Sequence, residues 1–165
     1  MTLAPPADVV RERFPDAIAA RDEITVVVDR DELLDRLREL RDDNRLGFDF
    51  LSDVTAADWP DREPRFWVAY HLYSSAHRHR IRVKVGLADD DARVPSVTPL
   101  YPTADWFERE VFDLYGVEFE GHPFLRRILM PDDWEGHPLR KDYGIGGVGT
   151  QYHGAFIPSV DERST

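Results

Sequence analysis

Two neighbouring segments with alternating side chains constrain the fold of this chain most strongly. Between residues 66 and 73 both alternating sets of side chains are largely apolar, which is typical of a strand in the interior of a sheet. Between residues 79 and 85 branched apolar side chains alternate with Arg80, Arg82 and Lys84, which indicates a strand with one exposed face. The polar segment between them is short enough to join only antiparallel neighbours. The sequence therefore predicts a β-hairpin inside a sheet.

The remaining apolar patterns predict a mixture of helices and strands. Leucines at 33, 34, 37 and 40 repeat with helical spacing, and Asp29 with Glu32 forms a candidate capping box before them. Another helical stripe lies between Thr103, a candidate N-cap, and Gly116, a stop signal. The predicted helices cover about 7–14, the stretch from the capping box at 29–32 to about 43 or 44, and 103–116, and the predicted strands cover 24–28, 48–55, 66–73 and 79–85.

The last third of the chain has a different character. Residues 117–165 hold seven of the ten glycines and four of the twelve prolines, so regular elements are not expected there. Large apolar side chains in the same stretch must nevertheless leave water, and they are Phe119, Phe124, Leu125, Ile128, Leu129, Met130 and Trp134. We therefore predict a compact domain over residues 1–116 and an extended arm over residues 117–165 that docks on partner chains.

Charge and cysteine content exclude several classes of function. The 165 residues include 32 acidic and 21 basic side chains, a net charge of -11, which disfavours binding to a nucleic-acid backbone. Cysteine is absent, so the chain has no thiolate ligands for a zinc site or an ordinary iron–sulfur cluster. No run of about 18 apolar residues is present, so we expect membrane contact only through another protein.

A near-repeat in the arm is the most conspicuous internal motif. Residues 120–127 and 135–141 each contain an acidic residue, a Gly-His-Pro turn and a basic pair. One hypothesis is a zinc or iron site, and hence an independent metalloenzyme, because imidazole and carboxylate ligands suit these metals. The favoured hypothesis is a pair of turns, since each His precedes a Pro in a loop. The metal site would use His122 and His137 with Glu118, Glu120, Asp132, Asp133 or Glu135.

Two further patterns resemble catalytic motifs, but their contexts argue against catalysis. Glu108, Glu110 and Asp113 could supply paired carboxylates, yet positions 108 and 110 of a helix do not face each other. The glycine-rich run 144–149 has no preceding strand and no following helix or Lys-Ser/Thr pair, so it is interpreted as a flexible tail. We therefore expect no active site in this chain alone.

The order of several motifs resembles the C subunit of NADH-quinone oxidoreductase, which lies in the peripheral arm of respiratory complex I. The resemblance covers roughly residues 24–143 and is carried by the runs 61–66, 70–72, 79–84, 94–97, 108–116, 119, 121–123, 125–129 and 135–143. It implies an α+β fold, with helices packed on one face of a mixed sheet and an extended, largely irregular C-terminal arm.

The same resemblance implies a role as a cofactor-free scaffold. Its partners would be the quinone-site subunit and the iron–sulfur subunits, and FMN, the clusters and quinone would be bound by those partners. The complex would pass electrons from NADH to quinone, translocate protons and lie peripherally on the cytoplasmic side of the cell membrane. Related domains occur in membrane-bound hydrogenase complexes, so the equivalent subunit of such a complex is an alternative.

The arm and the helix before it carry the residues of this family signature. We expect Arg126, Arg127, Arg140 and Lys141 to pair with acidic groups of neighbouring chains. We expect the apolar side chains Phe124, Ile128, Leu129, Met130 and Trp134 to be buried between chains. The full set of expected docking or signature residues is Glu108, Arg109, Glu110, Asp113, Gly116, Gly121, His122, Pro123, Arg126, Arg127, Trp134, Gly136, His137, Pro138, Arg140, Lys141 and Asp142.

Overall fold

A five-stranded mixed sheet organises the computed structural model, which describes residues 7–21 and 23–144. In chain order the elements are α1 (Ala7–Arg13), β1 (Ile18–Ala20), β2 (Glu23–Val27), a 3-10 turn (Arg30–Glu32), α2 (Leu33–Asp42), β3 (Phe50–Asp58), β4 (Phe66–Tyr73), β5 (Arg80–Leu87), β6 (Arg93–Pro95), α3 (Ala104–Tyr115) and β7 (Glu118–Glu120). The strand order is β1-β2-β5-β4-β3, and β6 pairs with β7 in a small parallel sheet.

The predicted hairpin is confirmed and forms the middle of the sheet. Strands β4 and β5 are antiparallel along their whole length, with Tyr70 opposite Val83. Strand β3 flanks β4 as an antiparallel neighbour, whereas β2 pairs with β5 in parallel, with Val26 opposite Val83. The α+β fold with a mixed sheet is therefore confirmed.

The helices and the inward side chains of the sheet enclose one core. Strand β4 buries every second side chain, including Tyr70, and α2 buries Leu33, Leu37 and Leu40 against the same cluster. Each such leucine contributes roughly 1.5–3 kcal/mol through removal of its side chain from water. The hydroxyl of Tyr101 donates a 2.8 Å hydrogen bond to the carbonyl of Phe48 within this core.

The opposite side of the sheet carries the other alternating set of side chains, and we call it the open face. The register places side chains of four strands on it. The open face is formed by Glu23, Thr25, Val27, Phe50, Asp53, Thr55, Ala57, Trp67, Ala69, His71, Tyr73, Arg80, Arg82 and Lys84.

Neither predicted N-cap residue makes a side-chain cap bond, although Thr103 stands at the N-cap position of α3 and Asp29 at that of the 3-10 turn. The 3-10 turn precedes α2, and the backbone carbonyl of Asp29 accepts the Glu32 N–H. Thr103 has helical backbone angles, and its hydroxyl donates to the Leu51 carbonyl at 3.4 Å. Gly116 ends α3 as predicted, with a left-handed φ of 74°.

The predicted boundary at residue 116 requires a correction. Val117 and Phe119 are buried in the domain core, and β7 pairs with β6 immediately after α3. Regular structure therefore extends to Glu120 in the described part of the chain. Residues 121–144, which we call the described arm, form turns and irregular backbone without helix or strand. The predicted glycine-rich tail lies outside the described residues from position 145 onward.

None of the helices within residues 7–21 and 23–144 is long and apolar enough to cross a membrane.

Candidate interaction site

A buried carboxylate at the end of α3 holds the first half of the described arm. Oδ2 of Asp113 accepts backbone N–H bonds from Ile128, Leu129 and Met130 at 3.0, 2.8 and 2.8 Å. Its other oxygen, Oδ1, accepts a 2.6 Å bond from the Arg127 guanidinium. We call this group of contacts the first clamp.

The first clamp stabilises the charged form of Asp113. Burial raises the pKa of a carboxyl group, but the hydrogen bonds from Met130, Arg127, Ile128 and Leu129 outweigh that cost, so the pKa of Asp113 lies below its ordinary value. Arg127 also donates to the carbonyl of Gly136 at 2.9 Å. The carboxylate partner of Arg127 is therefore in its own chain, whereas the sequence predicted a partner in a neighbour.

Two glycines of the signature allow rings to pack closely against the backbone. A Cβ on Gly116 would lie 2.6 Å from Cδ2 of His137, whose Nδ1 donates to the Asp113 carbonyl at 2.9 Å. A Cβ on Gly136, where φ is 81°, would lie 2.7 Å from Cε2 of Tyr143. These positions need glycine for both backbone conformation and space.

A second group of ionic contacts, the second clamp, holds the other end of the described arm. The Asp58 carboxylate is buried and accepts two bonds from Arg65, at 2.8 and 3.0 Å, and one from the Lys141 backbone N–H at 2.7 Å. Asp142 lies 2.9 Å from Arg65. Asp89 lies 2.9 Å from Arg65 and 3.1 Å from Arg140.

The second clamp also changes the expected roles of Arg140 and Lys141. Arg140 is paired with Asp89 and Asp142 inside the chain, and this pairing lowers the pKa of Asp142 to about 2. Lys141 contributes its backbone N–H to the clamp, while no described carboxylate lies within ion-pairing distance of its side chain. The arginine beside Asp58 likewise lowers the pKa of that carboxyl group.

The three carboxylates considered for acid–base chemistry point to different surroundings. Glu108 is fully buried and accepts bonds from the Ser96 hydroxyl at 2.6 Å and the Val97 N–H at 2.7 Å. Burial raises its pKa to about 7. Glu110 is exposed, and Asp113 is occupied by the first clamp. The described structure does not unite them in one site.

The two histidines of the near-repeat are also kept apart. Nε2 of His122 lies 3.2 Å from the Asp105 carbonyl and 3.9 Å from Glu108, while Nδ1 accepts the Phe124 N–H at 3.0 Å. His137 binds a later turn of α3, at Asp113. Within residues 7–21 and 23–144 no three His, Asp or Glu side chains converge as a metal ion requires. The metal-site hypothesis is therefore not supported by the geometry, and both histidines hold turns of the arm against α3.

The remaining signature residues occupy the surface of these turns. Gly121 has a φ of 78°, and a Cβ there would meet nothing within 4 Å. Pro123 is exposed, Pro138 is half-buried, and the half-buried Trp134 has an indole N–H without a hydrogen-bond partner among the described residues.

An exposed group of aromatic and cationic side chains remains where α3 meets the described arm. Trp106, Phe124 and Leu129 are 62%, 53% and 55% exposed. The Arg109 guanidinium lies 5.1 Å from the Trp106 ring and 5.8 Å from the Phe124 ring, and Arg126 lies 4.9 Å from the Phe124 ring. We call Trp106, Arg109, Phe124 and Arg126 the arm patch. Its composition is typical of protein–protein binding hot spots.

Sequence reasoning missed the second clamp and Trp106. Asp58, Arg65 and Asp89 lie in separate segments, and only the fold brings them to the end of the arm. Trp106 sits one helical turn before Arg109 in a run whose apolar spacing predicts only the helix between Thr103 and Gly116. The spacing of Trp106 and Arg109 at positions i and i+3 of a helix was the signal in the sequence that could have indicated their contact.

Comparison with known proteins identifies the family. The model of the family "Respiratory-chain NADH dehydrogenase, 30 Kd subunit" matches residues 26–148. The NADH-quinone oxidoreductase C subunit of Nocardioides sp. is 48% identical over 150 residues, covering 90% of this chain and 60% of the relative. The same subunit of Saccharopolyspora erythraea is 52% identical over 144 residues, covering 87% of this chain and 58% of the relative. This chain thus spans about 60% of the length of these relatives.

Solved structures agree with the sequence comparison. A trypsin-resistant fragment (1-134) of Nqo5 is 33% identical, with a TM-score of 0.63, and the match covers 72% of this chain and 98% of the fragment. A chain of the membrane-bound sulfane sulfur reductase, an archaeal respiratory membrane complex, is 32% identical, with a TM-score of 0.71 and 84% coverage of both chains. The chain, with its α3 signature, clamps and mixed sheet, belongs to the 30 kDa subunit family of respiratory-chain NADH dehydrogenase.

Proposed function

We propose that this chain is a cofactor-free scaffold subunit in the peripheral arm of a proton-translocating NADH-quinone oxidoreductase. In this role it supports the quinone-site and iron–sulfur subunits, which carry the electrons from NADH to quinone. FMN, the clusters and quinone belong to those partners, and the complex holds the chain at the cytoplasmic side of the cell membrane. Names of the relatives support the assembly, and the lack of cysteine supports the division of labour.

The observation that carries the proposal is the contrast between the clamps and the arm patch. The clamps give Arg127, Arg140 and Asp113 partners inside the chain, so these groups fix the shape of the arm. The arm patch leaves Trp106 and Phe124 in water, where large aromatic side chains are unfavourable. A rigidly held apolar surface with two arginines is suited to binding a neighbouring subunit with little loss of conformational entropy.

Affinity purification of the full-length tagged chain from its native host tests the proposal. We expect the quinone-site and iron–sulfur subunits to co-purify. Phe124→Ala should weaken their retention about thirtyfold, since a hot-spot truncation costs about 2 kcal/mol. Leu129→Ala should also weaken retention, whereas Trp59→Ala, at an exposed aromatic position with an arginine over its ring and outside the arm patch, is the matched control. A chain that elutes alone at 19.1 kDa from gentle extracts contradicts the proposal.

A second candidate function is the equivalent subunit of a related membrane-bound complex with another electron donor, such as a membrane-bound hydrogenase. The 84% mutual coverage with a chain of an archaeal respiratory membrane complex favours keeping this candidate. The two are distinguished by the activity of the purified assembly. Oxidation of NADH coupled to quinone reduction supports the first, and its absence from an assembly that uses hydrogen or a sulfur compound supports the second.

A further inference from the structure

A row of cations runs along the open face in an otherwise acidic protein. Arg80, Arg82 and Lys84 occupy alternate positions of β5, so their side chains project from the same side at intervals of about 7 Å. The whole chain has a net charge of -11. The row is therefore a local reversal of the general charge.

Contacts within the described chain neutralise this row only in part. Arg82 donates to the Thr25 hydroxyl and lies 3.4 Å from the Glu23 carboxylate. For Arg80 and Lys84, the described residues offer no carboxylate within 4.0 Å. The Lys84 ammonium lies 4.5 Å from the Trp67 ring centre, and burial together with the adjacent Arg82 lowers the pKa of Lys84. Two cations thus lack an anionic partner in the part of the chain that the structure describes.

The open face also has a shape that can receive a side chain. A depression of about 280 Å³ lies at the Arg80 end of the row, lined by side chains that include His71, Arg80 and Arg82. Glu23 and Asp53 also line it, so a negatively charged ligand meets both signs of charge. This mixed lining favours separate carboxylates, each placed beside a cation, over a continuous chain of phosphates.

Exposed apolar side chains flank the row on both sides. Val27 on β2 is 52% exposed, and Phe50 on β3 is 50% exposed. They lie on either side of β5 in the sheet order. The face therefore presents a cationic centre between apolar margins, which complements a partner surface with carboxylates at its centre and apolar side chains on either side.

We infer that the open face binds an extended, carboxylate-bearing segment of a neighbouring protein subunit along β5. Alternate residues of an extended segment are also spaced about 7 Å apart, so successive carboxylates can meet Arg80, Arg82 and Lys84 in turn. Apolar side chains of the same subunit, on either side of this segment, cover Val27 and Phe50. This inference rests on the proposed function only in requiring that the chain works in an assembly, and it defines a contact separate from the arm patch.

Lysine chemistry gives a direct test, because the chain contains only two lysines, Lys84 and Lys141. The full-length chain and the purified native assembly are labelled with an amine-acetylating reagent, and the labelling rate of each lysine is measured by mass spectrometry. A second aliquot of the assembly is treated with a carbodiimide, which joins an ammonium group directly to a contacting carboxylate. Lys84→Arg is the matched variant, since it keeps the charge and removes the amine.

We expect the assembly to slow the acetylation of Lys84 about tenfold, because a partner side chain covers the amine. We also expect a cross-link from Lys84 to an Asp or Glu of another subunit, which Lys84→Arg abolishes because it has no amine. Unchanged acetylation of Lys84 in an intact assembly overturns the inference. Protection of Lys84 without a cross-link to a carboxylate of another subunit also overturns the inference. This outcome includes protection that is lost after nuclease treatment or lipid extraction. A cross-link to this chain or a second copy of it also overturns the inference. An assembly that fails to form at all contradicts the proposed function instead.

Discussion

Individual residues of the signature act by giving space or accepting hydrogen bonds where the backbone requires it. Asp113 serves three consecutive backbone N–H groups with one carboxylate oxygen and a guanidinium group with the other, a combination that an amide side chain could not accept. Gly116 and Gly136 give room to His137 and Tyr143. The signature at this scale is a set of steric and hydrogen-bonding requirements.

Substitution of Gly116 by alanine tests the steric requirement. Gly116→Ala introduces a left-handed alanine and a contact at 2.6 Å with His137, whereas Gly121→Ala introduces only the left-handed alanine. We expect Gly121→Ala to lower the free energy of unfolding by about 1–2 kcal/mol and Gly116→Ala to lower it further. Urea denaturation of both variants gives the comparison. Equal losses would show that the His137 contact is unimportant.

The buried carboxyl group of Glu108 makes stability depend on pH. Its pKa is raised from 4.5 to about 7 in the folded chain by burial, so the folded state retains a proton that the unfolded state releases between these values. The free energy of unfolding therefore falls as pH rises from about 4.5 to 7, with a slope of up to about 1.4 kcal/mol per pH unit from this group, and levels off above pH 7. Glu108→Gln should remove this contribution to the slope.

Urea denaturation between pH 5 and pH 8 measures the effect. The control is Glu110→Gln, which removes the same charge from an exposed position of the same helix. The stability of Glu108→Gln relative to the unsubstituted chain should rise across the lower part of this pH range. The prediction fails if the two variants have the same pH profile.

At the scale of elements, α3 organises the described arm as well as the core. One side of α3 buries Val111 in the core, while Asp113, Leu114 and Asp105 provide acceptors for residues of the arm. The second clamp then attaches residues 140–142 to the ends of β3 and β4. The described arm, residues 121–144, is held at two places without any regular secondary structure of its own.

Loss of the Asp113 charge should release the first half of the arm. Asp113→Asn replaces one acceptor oxygen by a donor, which leaves either Arg127 or the three backbone N–H groups unpaired. We expect a local cost of roughly 3–5 kcal/mol and faster trypsin cleavage after Arg126 and Arg127. Asp132→Asn, at an exposed carboxylate 3.9 Å from Arg126, is the control. Equal cleavage rates in the two variants, measured by mass spectrometry, would contradict this role of Asp113.

The sequence predicted the long elements because each has its own periodicity, as in β4, β5, α2 and α3. The three-residue strands β1, β6 and β7 are too short to show a period, and only pairing with another segment defines them, which is adjacent in sequence for β1 and distant for β6 and β7. The same difference between local and long-range information applies to the two clamps. Asp113 lay within a recognisable motif, but Asp58, Arg65 and Asp89 acquire their role only when three strand ends meet. Exposure of Trp106 likewise depends on where the arm crosses α3.

At the scale of the whole molecule, the core and the arm have separable tasks. Truncation before Gly121 removes the arm but keeps β7 and every buried residue of the core. We expect the truncated chain to retain its far-ultraviolet circular dichroism spectrum and to be lost from the native assembly. Trp134→Ala should also impair assembly while leaving the domain folded. Normal assembly of the truncated chain would show that the arm is not the docking element.

The parallel pairing of β2 with β5 has a consequence for the order of folding. Thr25 pairs with Arg82, whereas β4 and β5 are joined by a short loop. Contacts between distant segments close slowly, because more chain entropy is lost in forming them. During synthesis, β1, β2 and α2 leave the ribosome before the strand that completes their sheet. The leucine stripe of α2 must therefore remain uncovered until the hairpin emerges, which makes this interval the point at which the nascent chain is most exposed to aggregation and most suited to chaperone binding.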